Sequence, residues 1–196
     1  EIESIAKYKR STVIWPFGAV EQHGPHLPLA TDSIFVDEII SEVFKLFSPD
    51  IPIKKLPTQY IGFSPEHKGF AGTISLSSNL ITSMIKEVGG QLSEMGFKRL
   101  ILINGHGGQI SLLNTAAREL RSFAPDIAVF PCFLWSGVNG LSELLTKTEI
   151  EDGLHASLAE TSLMLALKPE LVGDERPNEV IKGKIPEGWS LEGYAP

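Results

Sequence analysis

Glu21, His23 and Asp32 fall within twelve residues, in a stretch framed by glycine and proline, G-A-V-E-Q-H-G-P-H-L-P-L-A-T-D at 18–32. Two positions apart, Glu21 and His23 point to the same side of an extended backbone. A carboxylate, an imidazole and a second carboxylate form a donor set that a divalent ion such as zinc, manganese or iron selects. His106 lies in N-G-H-G-G-Q at 104–109, directly after an apolar run. Glycines 105, 107 and 108 permit positive φ and a close approach of ligand to backbone, so Gly107 and Gly108 are candidate substrate contacts. In G-L-H-A-S-L-A-E-T-S at 153–162, His155 precedes an apolar helical segment and Glu160 lies about one turn inside it. A glutamate in such a helix is costly to bury unless it is paired or binds a metal. His67 sits in the polar loop I-G-F-S-P-E-H-K-G-F-A-G at 61–72, long enough to suggest a functional role.

Each of these residues also has a plainer reading. Asp32, like Thr31 and Ser33, suits a helix N-cap. Glu21 reads equally as a surface acid, His26 as a solvated loop residue, and His106 as a turn residue that caps the next helix. His67 fits either a substrate contact or solvated surface. Glu160, with Thr161 and Ser162 beside it, fits a solvated helix face. The convergence of Glu, His and Asp on short, exposing turns favours the chemical reading.

These groups need a scaffold, and the apolar patterning supplies one. Strands are expected over Ser11–Trp15, over Leu100–Ile103 (an apolar run suited to burial on both faces) and over Ile127–Phe133. Helical stripes run through Val36, Ile39, Ile40, Val43, Phe44 and Phe47, and through Leu80, Met84, Val88, Leu92 and Met95. Ser78 or Asn79 is expected to cap the second helix and Gly96 to end it. A further helix covers Ile110–Phe123, and another begins near Ala156. Strands alternating with helices specify an α/β domain with a mostly parallel sheet and right-handed crossovers. Open sheets of this kind place their sites at the carboxyl ends of strands, where His106 falls. One domain is expected over 1–196, with 169–196 a Gly-, Pro- and charge-rich irregular arm.

The chain has 196 residues, is 42% hydrophobic and carries a net charge of −7 with a pI of about 5.3. No basic block stands out, which argues against binding to a phosphate backbone. No apolar stretch approaches the roughly 20 residues that span a bilayer. The single cysteine, Cys132, excludes an internal disulfide and suits a reducing cytoplasm. It lies in an apolar run, where buried packing is expected rather than nucleophilic catalysis. Both ends read as cut, so a longer full polypeptide is expected.

With these blocks in order, the sequence resembles the creatininase (creatinine amidohydrolase) family. W-P-F-G-A-V-E-Q-H-G-P-H-L-P-L-A-T-D at 15–32 is similar to its first metal-binding signature. N-G-H-G-G-Q is similar to its N-G-H-G-G-N block, H-A-S-L-A-E-T-S at 155–162 to its H-A-G-x-x-E-T-S block, and F-A-G-T at 70–73 to its P-G-T turn. The resemblance implies a three-layer α/β/α fold and a metal-dependent hydrolase of non-peptide amide-type C–N bonds. It also implies a homo-oligomer, with a hexamer as one form, and a small-molecule amide-type substrate. Glu21, His23, Asp32 and His106 fall on metal-ligand positions, with Asp32 bridging two zinc, manganese or iron ions. His155 falls on a catalytic histidine and Glu160 on the acidic position of the last block. Thr73, with His67, Gly107 and Gly108, is a candidate substrate contact. The sequence departs from the pattern at Gly108, where creatininase itself has a glutamate serving the second metal, and at Gln109, Ser157 and Ala71. Glu160 is one candidate for the missing carboxylate.

Two other readings compete. A phosphate- or nucleotide-binding module would use the 104–109 loop, but neither G-x-x-x-x-G-K-[ST] nor G-x-G-x-x-G after a strand is present. A degenerate family member kept as a structural subunit is permitted by Gly108 and Ser157, and opposed by the surviving Glu-His-Asp-His set.

Overall fold

β-Branched and aromatic side chains at Thr12–Phe17 (β1) and the apolar run at Arg99–Asn104 (β3) form the two central strands of a parallel sheet. Ile53–Lys55 (β2) and Ala128–Phe133 (β4) flank them, giving the order β2-β1-β3-β4. The computed structural model describes residues 2–153 and 155–176. Its helices are Ile2–Ala6 (α1), Thr31–Leu46 (α2), Ser78–Glu94 (α3), Ile110–Phe123 (α4), Leu141–Leu144 (α5), Lys147–Asp152 (α6) and Leu158–Leu167 (α7). β2 has no counterpart in the expected pattern. Three residues, two of them lysines, carry too little periodicity to be read as a strand.

Two separate apolar clusters show the three-layer α/β/α arrangement. Val13, Trp15, Phe17, Leu100 and Leu102 point to one side, against Ile81 and Ile85 of α3 and Leu113 and Leu120 of α4. On the other side Leu27, Phe35 of α2 and Met164 of α7 make a smaller cluster joined by Trp135. β1 is buried throughout, whereas β3 alternates between buried and half-buried residues and is not enclosed on both faces as expected. The cause is the neighbouring β4, whose Phe130 and Cys132 face outward on the same side and are exposed. Cys132 is therefore not the buried packing residue its apolar context suggested.

The register sets the position of the site. Phe17 pairs with Asn104, so the chain leaves β1 and β3 at the same level and on the same edge of the sheet. Thr31, Asp32 and Ser33 do not cap α2; Ala30 holds the cap position without a side-chain bond. Thr31 Oγ1 donates instead to the Pro28 carbonyl at 2.6 Å, and Ser33 Oγ to the Tyr60 carbonyl at 2.9 Å. Ser77, one residue ahead of the expected position, caps α3 by accepting from Leu80 N–H, and Gly96 ends it at φ +100°. The segment after Pro169 is a short 3₁₀ turn tied back by Gly173 N–H, which donates to His26 O at 2.8 Å. The rest of the expected arm, from 177, lies outside the described residues.

α3 and α4 approach closely at Gly89, where a Cβ would stand 2.2 Å from Leu120 Cδ2. Helix propensity alone favours alanine over glycine by ~1 kcal/mol. Leu120 is fully buried and has no room to yield, so Gly89→Ala is expected to destabilise by ~1–2 kcal/mol in a denaturant titration. A stabilised variant would show that the helices are free to separate.

Candidate metal centre

Four segments meet at the carboxyl edge of the sheet. The loop after β1 brings Glu21 and His23, the first turn of α2 brings Asp32, the loop after β3 brings His106, and the approach to α7 and its first turn bring His155 and Glu160. All lie together, and all but the half-buried His155 are buried. His106 Nδ1 is 3.1 Å from both Glu21 Oε1 and Asp32 Oδ2, and His23 Nε2 is 3.3 Å from Asp32 Oδ1. The Asp32 carboxylate thus has one oxygen towards each histidine. His155 Nδ1 lies 3.7 Å from Glu21 Oε1. His67 is buried too, with Nδ1 3.1 Å from Glu21 Oε2 and its ring stacked on His155 at 4.3 Å.

Local sequence explains how these side chains are held. Asn104, the last residue of β3, accepts from His106 N–H at 3.0 Å and donates to the His106 carbonyl at 2.8 Å, which fixes the loop. Gln109 donates to Asn104 Oδ1 at 2.9 Å and to the Gly18 carbonyl at 3.0 Å, and it accepts from Phe63 N–H at 3.1 Å. One side chain therefore ties together the loops after β1 and β3 and the 61–72 loop. Ser157, where the related block has glycine, caps α7 by accepting from Glu160 N–H. Among glycines 105, 107 and 108, none has the positive φ their loop suggested. Gly105 is needed for space, since a Cβ there would lie 2.6 Å from the Asp32 carbonyl.

Gly107 and Gly108 line a cavity of about 290 Å³ with Glu21, Asp32, His67, His106, His155 and Glu160 on its polar side. Ile110, Phe133, Trp135, Leu145 and Ile150 form its apolar wall. Thr73 is not on the wall. It is half-buried, and its Oγ1 accepts from Gln22 N–H at 3.1 Å. Ser64, Glu66, Asn104 and Gln109 belong to the site without having been singled out in the sequence for a role there.

The donor set fits a metal. Glu21 Oε1, Asp32 Oδ2, His23 Nε2, His106 Nε2 and Glu160 Oε2 are buried and have no hydrogen-bond partner. Buried polar atoms are normally satisfied, so a cluster of unpartnered ligand atoms marks a place for a cation. Donor atoms of Glu21, Asp32 and His106 come within 4.8 Å of one another, as do those of His23, His155 and Glu160. His23 Nδ1–H donates to the Glu21 carbonyl at 3.2 Å, which leaves Nε2 free to ligate.

The sequence matches the family Creatininase (creatinine amidohydrolase) over residues 1–193. The chain belongs to the creatininase family. A mycofactocin precursor peptide peptidase of Mycobacterium tuberculosis is 34% identical over 171 residues, covering 84% of this chain and 62% of the relative. A creatinine amidohydrolase of Pseudomonas putida is 30% identical over 175 residues, covering 82% and 66%. The chain thus spans under two thirds of the length of these curated relatives. A creatininase crystal structure aligns with a TM-score of 0.72 at 28% identity, over 87% of this chain and 70% of that one. A manganese form of creatininase aligns at 0.72 and 25%, over 98% and 82%.

Without a metal, the histidines carry the compensating charge. Burial pulls His23 down, but Asp32, Glu160 and Glu21 override it and push it up to about 9. Burial also opposes charge on His106, yet Asp32, Glu21 and Glu66 raise it well above its ordinary value. Burial pushes Glu160 up to about 7. Groups raised in the folded state stabilise it fully below their unfolded pKa and lose that contribution as pH rises through the folded one. Chelator-treated protein is therefore expected to melt at progressively lower temperature from pH 6.5 to 9. Protein loaded with zinc or manganese, whose ligands are already deprotonated, should resist that loss. Parallel melting curves for the two forms across this range would contradict the assignment.

Proposed function

We propose that this protein is a metal-dependent hydrolase of an amide-type C–N bond. The observation that carries the reading is the convergence of unpartnered carboxylate and imidazole atoms at the carboxyl edge of the sheet. Glu21, Asp32 and His106 would hold one divalent ion, and His23, Asp32 and Glu160 a second, with zinc, manganese or iron as the candidates. Ions bound there would lower the pKa of a water and polarise the carbonyl of the scissile bond.

The chain's own residues account for the rest of the chemistry. Burial, reinforced in the metal-free protein by the charge of His23, pushes His155 down to about 4, so it is neutral at pH 7. Its Nε2–H donates to the Gln22 carbonyl at 2.5 Å, which makes Nδ1 the basic atom and turns it towards the cluster. The rings of His23 and His67, each 4.3 Å from His155, restrict its orientation. Thr73 helps to fix the Gln22 peptide by accepting from its N–H. Nδ1 can take a proton from the attacking water and pass it to the leaving nitrogen. A Cβ on Gly107 would meet nothing within 4 Å, so a substrate carbonyl can approach the backbone there. The apolar wall favours a substrate with an apolar group beside the scissile bond.

A small non-peptide amide, cyclic or formyl, fits the likeness to creatinine amidohydrolase. The 34% identity to a peptide peptidase favours a second reading, cleavage of a short peptide. Among the described residues no helix is long and apolar enough to cross a membrane.

The test combines metal content with turnover. Protein purified without chelator is expected to carry about two equivalents of zinc, manganese or iron by elemental mass spectrometry, and to hydrolyse members of a panel of cyclic amides, formamides and short peptides. His106→Ala should lose metal, whereas His155→Ala should keep it and lose ~10²–10⁴-fold in kcat. No metal uptake on reconstitution would overturn the reading and favour an inert structural subunit.

A further inference from the structure

Position 108 has no side chain, yet the space in front of it is filled. A Cβ built on Gly108 would stand 1.8 Å from Glu66 Oε1 and 2.7 Å from both Glu66 Cδ and His106 Nε2. Glu66 reaches this place from the Pro65–His67 turn, whose next residue, His67, contacts Glu21. Its Oε1 lies 2.9 Å from His106 Nε2. Both atoms are buried, and neither has an aligned hydrogen bond. A carboxylate oxygen and an imidazole nitrogen this close, left unaligned, repeat what Glu21, Asp32 and Glu160 show a few ångströms away. A carboxylate oxygen buried against an imidazole nitrogen without an aligned hydrogen bond is costly, and a cation beside the pair removes the cost.

We propose that Glu66 is a carboxylate of the metal centre, entering from the 61–72 loop into the space a side chain at 108 would take. The inference rests on the two-metal reading of the cluster. It explains why glycine stands at 108, since any Cβ there would collide with the carboxylate already in place. It also gives the 3₁₀ turn a purpose, because adjacent residues of it, Glu66 and His67, flank the His106–Glu21 contact from two sides.

The experiment is a calorimetric titration of chelator-treated protein with zinc and, separately, manganese, with melting curves of the metal-free forms as a folding control. Wild type is expected to bind two ions. Glu66→Gln keeps the size of the side chain and removes its charge. It should weaken one of the two binding events by ~10–100-fold, with a cooperative metal-free melting transition showing that the variant still folds. Gly108→Glu alone should also weaken binding, because two carboxylates contest one space. Glu66→Ala/Gly108→Glu removes the nearest obstacle to the new side chain, and affinity should recover to within a few-fold of wild type. Two ions bound by Glu66→Gln with wild-type affinity would overturn the role of Glu66 and leave the hydrolase reading standing. Absence of binding by wild type itself would overturn both.

Discussion

Three carboxylates, Glu21, Asp32 and Glu160, are buried around His23, and mutual repulsion in a poorly screened interior would drive them apart or protonate them. The opposite charge that holds them must come from histidines or from ions. His23 and His106 are placed to supply it, and on the proposed reading they would ligate a metal instead, because a histidine can give up its proton when a metal arrives. The surrounding architecture serves this constraint. A parallel sheet delivers two loops at one edge, and the amino ends of two helices bring carboxylates into first turns, where the helix dipole favours negative charge.

Bringing four segments this close leaves little room for side chains between them. Gly18 is packed so tightly that a Cβ would stand 2.2 Å from Ser33 Oγ, and Gly105 lies against the backbone of Asp32. These glycines are there because nothing larger fits, not because the chain turns in a left-handed conformation. Hydrogen bonds then fix what close packing permits. Asn104 and Gln109 hold the His106 loop, Ser64 Oγ donates to Glu21 Oε2, and His26 pairs with Thr161 across the gap to α7.

The groups most legible in the sequence were those whose evidence was local. Glu21, His23 and Asp32 sit in one short stretch, and His106 follows a strand that announces itself by composition. The α3, β3 and α4 segments were readable because an apolar period survives over whole elements. β2 was not, since it is held by pairing with β1 and not by a pattern of its own. The burial of His67 and Glu160 was open at that level, because either residue could as well face water until the fold sets its neighbours. Glu66 and Gln109 act through partners forty or more residues away, and Cys132 is exposed because nothing among the described residues covers it on the edge strand. Contacts of that range leave no periodic trace.

The attachment of α7 has a consequence for how the chain comes apart. Gln22 and His155, which meet in a hydrogen bond, are 133 residues apart in the chain. Among the described residues, the apolar cluster joining α7 to α2 has only Leu27, Phe35 and Met164 fully in its interior. Ions shared between the β1 loop and Glu160 would act as a fastener across that long loop, whose closure carries a substantial entropic cost. Stripped of them, α7 would keep that small cluster and the His26–Thr161 contact, and it would be expected to open before the sheet does. The atoms proposed to hold the ions would then also decide which part of the protein a protease reaches first.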